Sequence, residues 1–534
     1  MYKLILTVLA FCLIQTCAAK TVPSQGYQSF DGYQVIRAQA RTLEQGMSLI
    51  NLQRDHPSLD FWKEPSLTDD TDFMVPSDKI LEISQYLSLH NVEFYPLIKD
   101  VGQLIASQYD GYQMTGVREP ISWTKYHNLA TMYEWFQNLT EAHSFVHVYT
   151  IGQSTEGRDI KVVRLSKDPS ANKPAMFIDS AIHAREWISL ATVSYIMNQI
   201  VNNPEDNALL DDVDFYFLPI INPDGYEYTF TTNRMWRKTR SRNSASCYGV
   251  DANRNYDYEW SSCSGCSSGV CTSETFRGDT PFSEPETEAM RVFIEQSKQS
   301  GVNFQSYISV HSYGQYFMLP WGYTPAPPAD YEELQMVANY VAGNISAVYG
   351  TEYTTGSSST TIYPTDGTSQ DWAYGTGLFK YVYTAELRDK GIYGFILPPT
   401  LILPTAEETW AGFKISLGRC LLWRGSACAT FGLFGLMTIA FVSMMKTPTI
   451  VLGFLPTLIF KPFALWVVGG FIKELRTLDN FPTNSTINFP PAKPTLSLQH
   501  PQNTRRTTMI FRRESVSRPP SVVGSKITTI SEEP

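Results

Sequence analysis

The stretch Met176-Phe177-Ile178-Asp179-Ser180-Ala181-Ile182-His183-Ala184-Arg185-Glu186-Trp187-Ile188-Ser189-Leu190 decides how this chain folds. Its first four residues form a strand-like run, and from Trp187 to Ile196 the apolar residues take the spacing of a packed helix. A strand that enters a helix through a short turn is the step from which α/β sheets are built. His183 and Glu186 then stand at the junction, where open sheets carry their catalytic groups. Far downstream, the strand-like run Tyr307-Ile308-Ser309-Val310 leads into His311, so a third group can reach the same crevice. Two imidazoles and one carboxylate are the set with which zinc keeps a fourth position open for water, and hydrolysis is the chemistry this set implies. Without the flanking strand and helix, the same residues would read as core histidines and a surface carboxylate.

Composition narrows the classes. At 534 residues the chain exceeds a single core, and 18% charged with 13% aromatic residues is a globular profile. A net charge of −10, with no basic stripe interleaved with aromatics in the first 420 residues, argues against a nucleic-acid partner. Residues 1–19 carry Lys3, an apolar run from Leu4 to Ile14 and the small residues Cys17-Ala18-Ala19, the pattern of a secretory signal peptide. That route leads outside the cell and is oxidising, so Cys247, Cys263, Cys266 and Cys271 are read as two disulfides. Structural zinc is the alternative, which the 15-residue gap after Cys247 disfavours. Asn138 and Asn344 open glycosylation sequons that suit the same route.

Residues 20–118 alternate helix-like stretches at 42–52 and 80–90 with strand-like ones at 72–75 and 92–95, which predicts a small α+β domain. A tract with Gly111, Gly116 and Arg118-Glu119-Pro120 reads as an exposed linker, and Arg118 is the expected activating cut. Over residues 119–423, strands at 161–165, 175–179, 214–218, 306–310 and 380–384 alternate with amphipathic helices, which predicts one large α/β domain with a mixed sheet. The composition then shifts. Residues 427–445 hold no charge over 19 positions, enough for a transmembrane helix across a core of about 30 Å. A second apolar stretch, 449–472, is divided by Lys461-Pro462 and spans, re-enters or lies at the interface. Residues 473–534 form a tail of disordered type, rich in Pro, Ser and Thr. This extension is either a surface anchor or the product of a mis-joined reading frame.

Further chemistry sits outside the metal set. The strand-like Tyr383-Thr384-Ala385 ends at Glu386, a carboxylate that could take a proton from water and deliver it to a leaving amine. Arg237 and Arg254 supply guanidinium groups, one suited to an oxyanion near the metal and the other to gripping a carboxylate.

Together these pieces resemble the pancreatic-type zinc metallocarboxypeptidases, the M14 family of procarboxypeptidases A and B. The resemblance runs from Phe61 to about Phe413. It rests on His-x-Arg-Glu-Trp at 183–187, Asn-Pro-Asp-Gly-Tyr at 222–226, Asp-Ala-Asn-Arg-Asn at 251–255, His-Ser-Tyr at 311–313, Glu-Leu-Arg-Asp at 386–389 and Tyr-Gly-Phe at 393–395. It implies a mixed eight-stranded twisted sheet flanked by helices, preceded by a small antiparallel α+β pro-domain that covers the cleft until a trypsin-like protease cuts it off. It implies one zinc ion on His183, Glu186 and His311, since carboxypeptidase A is itself a known instance of the two-histidine, one-glutamate zinc set. Glu386 is then the general base, and Arg237 polarises the scissile carbonyl. Asn253 and Arg254 hold the substrate's terminal carboxylate, joined by Tyr363, while Arg185, Tyr313 and Phe395 match residues of the more distal cleft. Cys247 with Cys271 matches the usual disulfide of the family, and Cys263 with Cys266 would be an additional short bridge. Peptide and protein C-termini are the implied substrates, and a monomer is expected.

Specificity departs from the relatives. In the family, the residue before Asp371 floors the pocket for the substrate's last side chain: apolar there means apolar or aromatic ends, and Asp means Lys or Arg. Here it is Gln370, a neutral amide, while Gly322 and Met318 leave space and apolar surface. An A-like preference is expected, with Gln or Asn ends as the alternative. The segment from Tyr363 to Glu386 also looks one residue longer than in mammalian enzymes, near residues 375–377. A rival class is a surface protein that keeps fold and zinc but only captures peptides. Loss of Glu386 or Arg237 would favour it, and both are present.

Overall fold

The computed structural model describes residues 27–56, 59–65, 70–109 and 120–418. The signal segment, Arg118 and every segment predicted beyond 418, including 427–445 and 449–472, lie outside these residues. Among the described residues no helix is long and apolar enough to cross a membrane.

The N-terminal unit is an antiparallel sheet of β1 (Gln34–Gln39), β2 (Asp60–Lys63), β3 (Thr71–Val75) and β4 (Glu93–Ile98), ordered β2-β3-β1-β4. Successive residues of a strand face opposite sides, and here both sides are buried. Ile36, Phe61, Phe73 and Val75 pack with Leu49 and Leu52 of helix Leu43–Asp55 and with Ile83 and Leu87 of helix Ile80–Leu89. Their neighbours Val35, Trp62 and Met74 point the other way, into a cluster with Met235, Phe395 and Ile396 of the larger unit. The period-2 pattern therefore gives the small domain one face for its own helices and one for its partner. The predicted helices at 42–52 and 80–90 fall within a few residues of those observed. The first two strands escaped the sequence reading because their apolar residues are split between two cores and form no one-sided alternation.

The larger unit holds one sheet ordered β11-β10-β12-β9-β7-β8-β6-β5. Its strands are β5 (Val146–Gln153), β6 (Asp159–Leu165), β7 (Pro174–Ser180), β8 (Asp214–Leu218), β9 (Asn303–Ser312), β10 (Tyr316–Leu319), β11 (Thr354–Ser357) and β12 (Tyr381–Leu387). The central four, β12-β9-β7-β8, are parallel, and β7 and β8 are buried along their whole length. The five predicted strands are β6, β7, β8, β9 and β12. The missed ones are β5, a half-exposed edge, and β10 and β11, each only four residues long. Helix Trp187–Asn202 covers one face through Ile188, Val193, Ile196 and Ile200, and Met290 and Ile294 of helix Pro285–Gln299 belong to the core on the other.

Candidate active site

Two neighbouring parallel strands, β7 and β9, deliver the metal set, and a third, β12, brings Glu386 beside it. β7 ends at Ser180, and Ala181 turns the chain in the left-handed region (φ 51°), a conformation unusual for a residue with a Cβ. His183 follows, and Glu186 occupies the N-cap position of helix Trp187–Asn202 without making a side-chain cap bond. Its carboxylate is turned instead to the imidazoles: Oε1 lies 2.8 Å from His183 Nδ1 and Oε2 lies 3.1 Å from His311 Nδ1. His311 comes from β9, and its Nδ1 is 3.1 Å from that of His183. One potential ligand atom from each of the three residues lies within 4.8 Å of the others, and all three residues are buried.

The outer nitrogens are fixed as well. His183 Nε2 faces Asp251 Oδ1 at 3.0 Å, and His311 Nε2 faces Ser309 Oγ at 3.0 Å. Ser309 Oγ in turn donates to Asp179 at 2.8 Å, so a proton on each Nε2 leaves both Nδ1 lone pairs directed inward. Before a metal ion binds, the three groups shift one another. Burial opposes charge on Glu186, yet the two imidazoles hold its carboxyl well below the usual range. Burial and Arg237 lower His183, which favours the neutral ligand form. Burial also acts against charge on His311, but Glu186 outweighs it and lifts the imidazole to about 9.

Around this set the cleft is lined by Arg237, Asn253, Arg254, Tyr363, Gln370 and Glu386. Tyr313 and Phe395 line it as well. Arg185, expected in the distal cleft, does not line it. Its Nη1 donates to Asp60 of β2 at 2.7 Å, and its guanidinium lies 4.1 Å from the Phe395 ring centroid. Burial is the main reason Glu386 rises to about 8; Glu186 adds to it, while His311, Arg237 and Arg254 pull it back. A dication on the His183–Glu186–His311 set would draw it down further.

Arg237 Nη2 donates to Asp251 Oδ2 at 2.7 Å, so one carboxylate steadies both a metal-set imidazole and this guanidinium. Asn222 ties the two segments together by donating to the carbonyls of Ile182 (3.2 Å) and Lys238 (2.9 Å). Arg254 Nη1 donates to the Asn253 carbonyl at 2.9 Å, and Asn253 Oδ1 accepts from the Ser369 amide at 2.9 Å. Sequence reading assigned no role to Asp251, Ser309 or Asp179. Asp251 stood inside the Asp-Ala-Asn-Arg-Asn run, and an acid two residues before Asn253 and three before Arg254 was the available signal.

Gln370 lines the cleft with its amide occupied on both ends: Oε1 accepts from Ser358 Oγ at 2.7 Å and Nε2 donates to the Met318 carbonyl at 3.1 Å. Gly322 does not open the pocket as expected. Its amide donates to Asp371 at 3.0 Å, and a Cβ there would meet Thr365 Oγ1 at 2.5 Å. The small residue is therefore needed for the Asp371 loop, and Met318 alone of the two lines the cleft.

The N-terminal unit closes the opening. Trp62 packs on Phe395 (5.0 Å between centroids) and Tyr313 (6.2 Å), and Tyr313 donates to Asp72 of β3 at 3.1 Å. Arg37, Trp62, Lys63 and Asp70 complete the cleft wall. Burial raises Glu64 just beyond β2, while Arg254 and Arg237 draw it back toward the charged form. Both expected disulfides, Cys247–Cys271 and Cys263–Cys266, are formed.

Comparison with known proteins agrees with this architecture. Residues 132–412 match the family described as zinc carboxypeptidase, and residues 36–108 match the carboxypeptidase activation peptide. The chain belongs to the zinc carboxypeptidase family. Carboxypeptidase A4 of Mus musculus is 38% identical over 400 residues, covering 73% of this chain and 94% of that protein. Carboxypeptidase B of Astacus astacus is 44% identical over 299 residues, covering 55% and 97%. Among solved structures, thrombin activatable fibrinolysis inhibitor has a TM-score of 0.67 at 32% identity, covering 73% of this chain and 99% of that one. Carboxypeptidase A of Helicoverpa armigera also reaches 0.67, at 26% identity over 74% and 98%. The chain is thus the zymogen of a zinc-dependent carboxypeptidase, with an activation peptide ahead of its catalytic domain. The two imidazoles and one carboxylate, each imidazole braced from behind, suit zinc.

Proposed function

We propose that this zymogen, secreted by way of residues 1–19 and cut at Arg118, yields an enzyme that removes single aliphatic or aromatic residues from peptide C-termini. Arg118 falls between the two family matches, which end at 108 and resume at 132. His183, Glu186 and His311 hold zinc, which when bound polarises the scissile carbonyl and acidifies water. Glu386 takes the proton of the attacking water and returns it to the leaving amine. Arg237, oriented by Asp251, faces the oxyanion as it develops. Arg254 and Asn253 grip the terminal carboxylate, and Tyr363 covers it. Asp60, Trp62 and Asp72 occupy Arg185, Phe395 and Tyr313 until the pro-domain leaves.

The observation that carries the specificity is the amide of Gln370. Its neighbours Ser358 and Met318 already fill its main hydrogen bonds, so it offers a neutral floor with no charge for Lys or Arg. Thr368 and Thr384, which line the same cleft, are neutral too. Gln or Asn ends are a second reading, favoured by the one N–H of Gln370 that Met318 does not take. The test is kcat/KM of the trypsin-treated protein on peptides that differ only in a last Leu, Phe, Gln, Lys or Arg. Leu and Phe should lead; preferred release of Lys or Arg would refute the A-like reading.

A further inference from the structure

The short bridge Cys263–Cys266 does not merely staple a surface turn. Arg254 is buried, with 4% of its side chain exposed, and its Nε donates to the Cys266 carbonyl at 3.2 Å. Nη1 is taken by the Asn253 carbonyl, so the Cys266 carbonyl sets the rotation of the fork that faces the cleft. On the other side of the bridge, the Cys263 amide donates to Asp366 Oδ2 at 3.2 Å. Asp366 is fully buried three residues beyond Tyr363, and among the described residues nothing donates to its Oδ1. The next residue, Gly367, sits at φ +62° with its Cα so close to Arg254 that a Cβ would meet the Arg254 carbonyl at 2.5 Å. Its own carbonyl accepts from the Tyr256 amide at 2.9 Å. Ser262, Ser264 and Gly265 around the bridge are exposed, and besides the covalent link the turn is closed by one long backbone bond, from the Cys266 amide to the Cys263 carbonyl at 3.4 Å.

We infer that the Cys263–Cys266 bridge and Asp366 are positioning residues that lock the carboxylate-gripping Arg254 to the Tyr363 loop. The inference rests on the reading of Arg254 given under Proposed function. Opening the bridge frees the Cys266 carbonyl, leaves Arg254 Nε without its buried acceptor and uncouples the turn from Asp366. Binding of the terminal carboxylate then weakens, while the metal set and Glu386, to which this turn makes no hydrogen bond among the described residues, continue to act.

The experiment compares steady-state kinetics of the trypsin-treated full chain on one Leu-terminated peptide. The variants are the double substitution Cys263→Ser with Cys266→Ser, Asp366→Ala, Asp366→Asn and Arg254→Ala, with zinc content and melting temperature recorded for each. The double variant and Asp366→Ala should raise KM about tenfold, as loss of a hydrogen bond to a charged group does, with kcat within about twofold. Asp366→Asn keeps an acceptor for the Cys263 amide and should restore KM. An unchanged KM in the double variant and in Asp366→Ala, while Arg254→Ala raises it, would overturn the inference. So would a loss confined to kcat, which would mark general loosening. An unchanged KM in Arg254→Ala would overturn the carboxylate reading beneath it.

Discussion

Glu386 is the register partner of His311: the parallel pairing of β12 with β9 sets the two residues side by side on one ladder. The carboxylate assigned to proton transfer is thereby fixed beside a metal-set imidazole by backbone hydrogen bonds and not by a loop. It is not itself part of the three-residue metal set. Glu386→Gln should therefore bind one zinc per chain as before while kcat falls by about 10²–10⁴. Metal analysis beside turnover separates the two roles, and loss of zinc together with activity would mean that Glu386 is a ligand.

A second pair governs latency. Asp60 accepts from Arg185, which has 1% of its side chain exposed, and among the described residues the only other hydrogen bond of that guanidinium goes to the Met235 carbonyl at 3.4 Å, with the Glu274 carboxylate near enough to interact with it. Asp60→Ala leaves a buried cation without its partner, at a cost of about 1.5–3 kcal/mol. The pro-domain should then hold the cleft about ten- to a hundredfold less tightly. Turnover of a small C-terminal substrate by the uncut Asp60→Ala protein should exceed that of the uncut parent, and equal turnover would count against the contact.

The braces behind the metal set carry their own consequence. Ser309 Oγ faces His311 Nε2 at 3.0 Å, and among the described residues the only other polar neighbour of that nitrogen is Asn253 Nδ2 at 3.5 Å. Ser309→Ala removes the acceptor that selects the tautomer with a free Nδ1. Zinc affinity should fall about 10–100-fold, measured by competition with a chelator of known affinity. An unchanged affinity would show that Ser309 plays no part in orienting the ligand.

Far from the cleft, burial lifts Glu286 to about 8, helped by Glu284, against an ordinary value of 4.5. The folded protein holds this proton between pH 4.5 and about 8, where the unfolded chain has lost it. Folding therefore binds a proton in that window, and the contribution is full at low pH and is lost as pH rises. Glu286→Gln abolishes the titration. The melting temperature of the variant should decline less than the parent's between about pH 5 and pH 8, and parallel profiles would refute the shift.

The metal set, Glu386 and the fold class were legible because these residues end an apolar strand or follow one within a few residues: Ile178 and Asp179 announce His183 and Glu186, Ile308 and Val310 announce His311, and Tyr383 announces Glu386. The supports were not. Asp251 lies 68 residues from His183, and Asp60 lies 125 residues from Arg185, so only the folded chain brings them together. Nothing local distinguishes Asp60 from a surface acid. Gly322 misled for a related reason, since a glycine's missing Cβ looks like pocket space until the Asp371 carboxylate and Thr365 hydroxyl are seen filling it.

The most direct measurement is release of the C-terminal residue from a Leu-terminated peptide by the trypsin-treated chain, before and after a zinc chelator and again after zinc is restored. The account predicts release that stops with the chelator and returns with zinc. No release from a chain shown to be cut and to hold one zinc would contradict it, and would leave a protein that keeps the fold only to capture peptides.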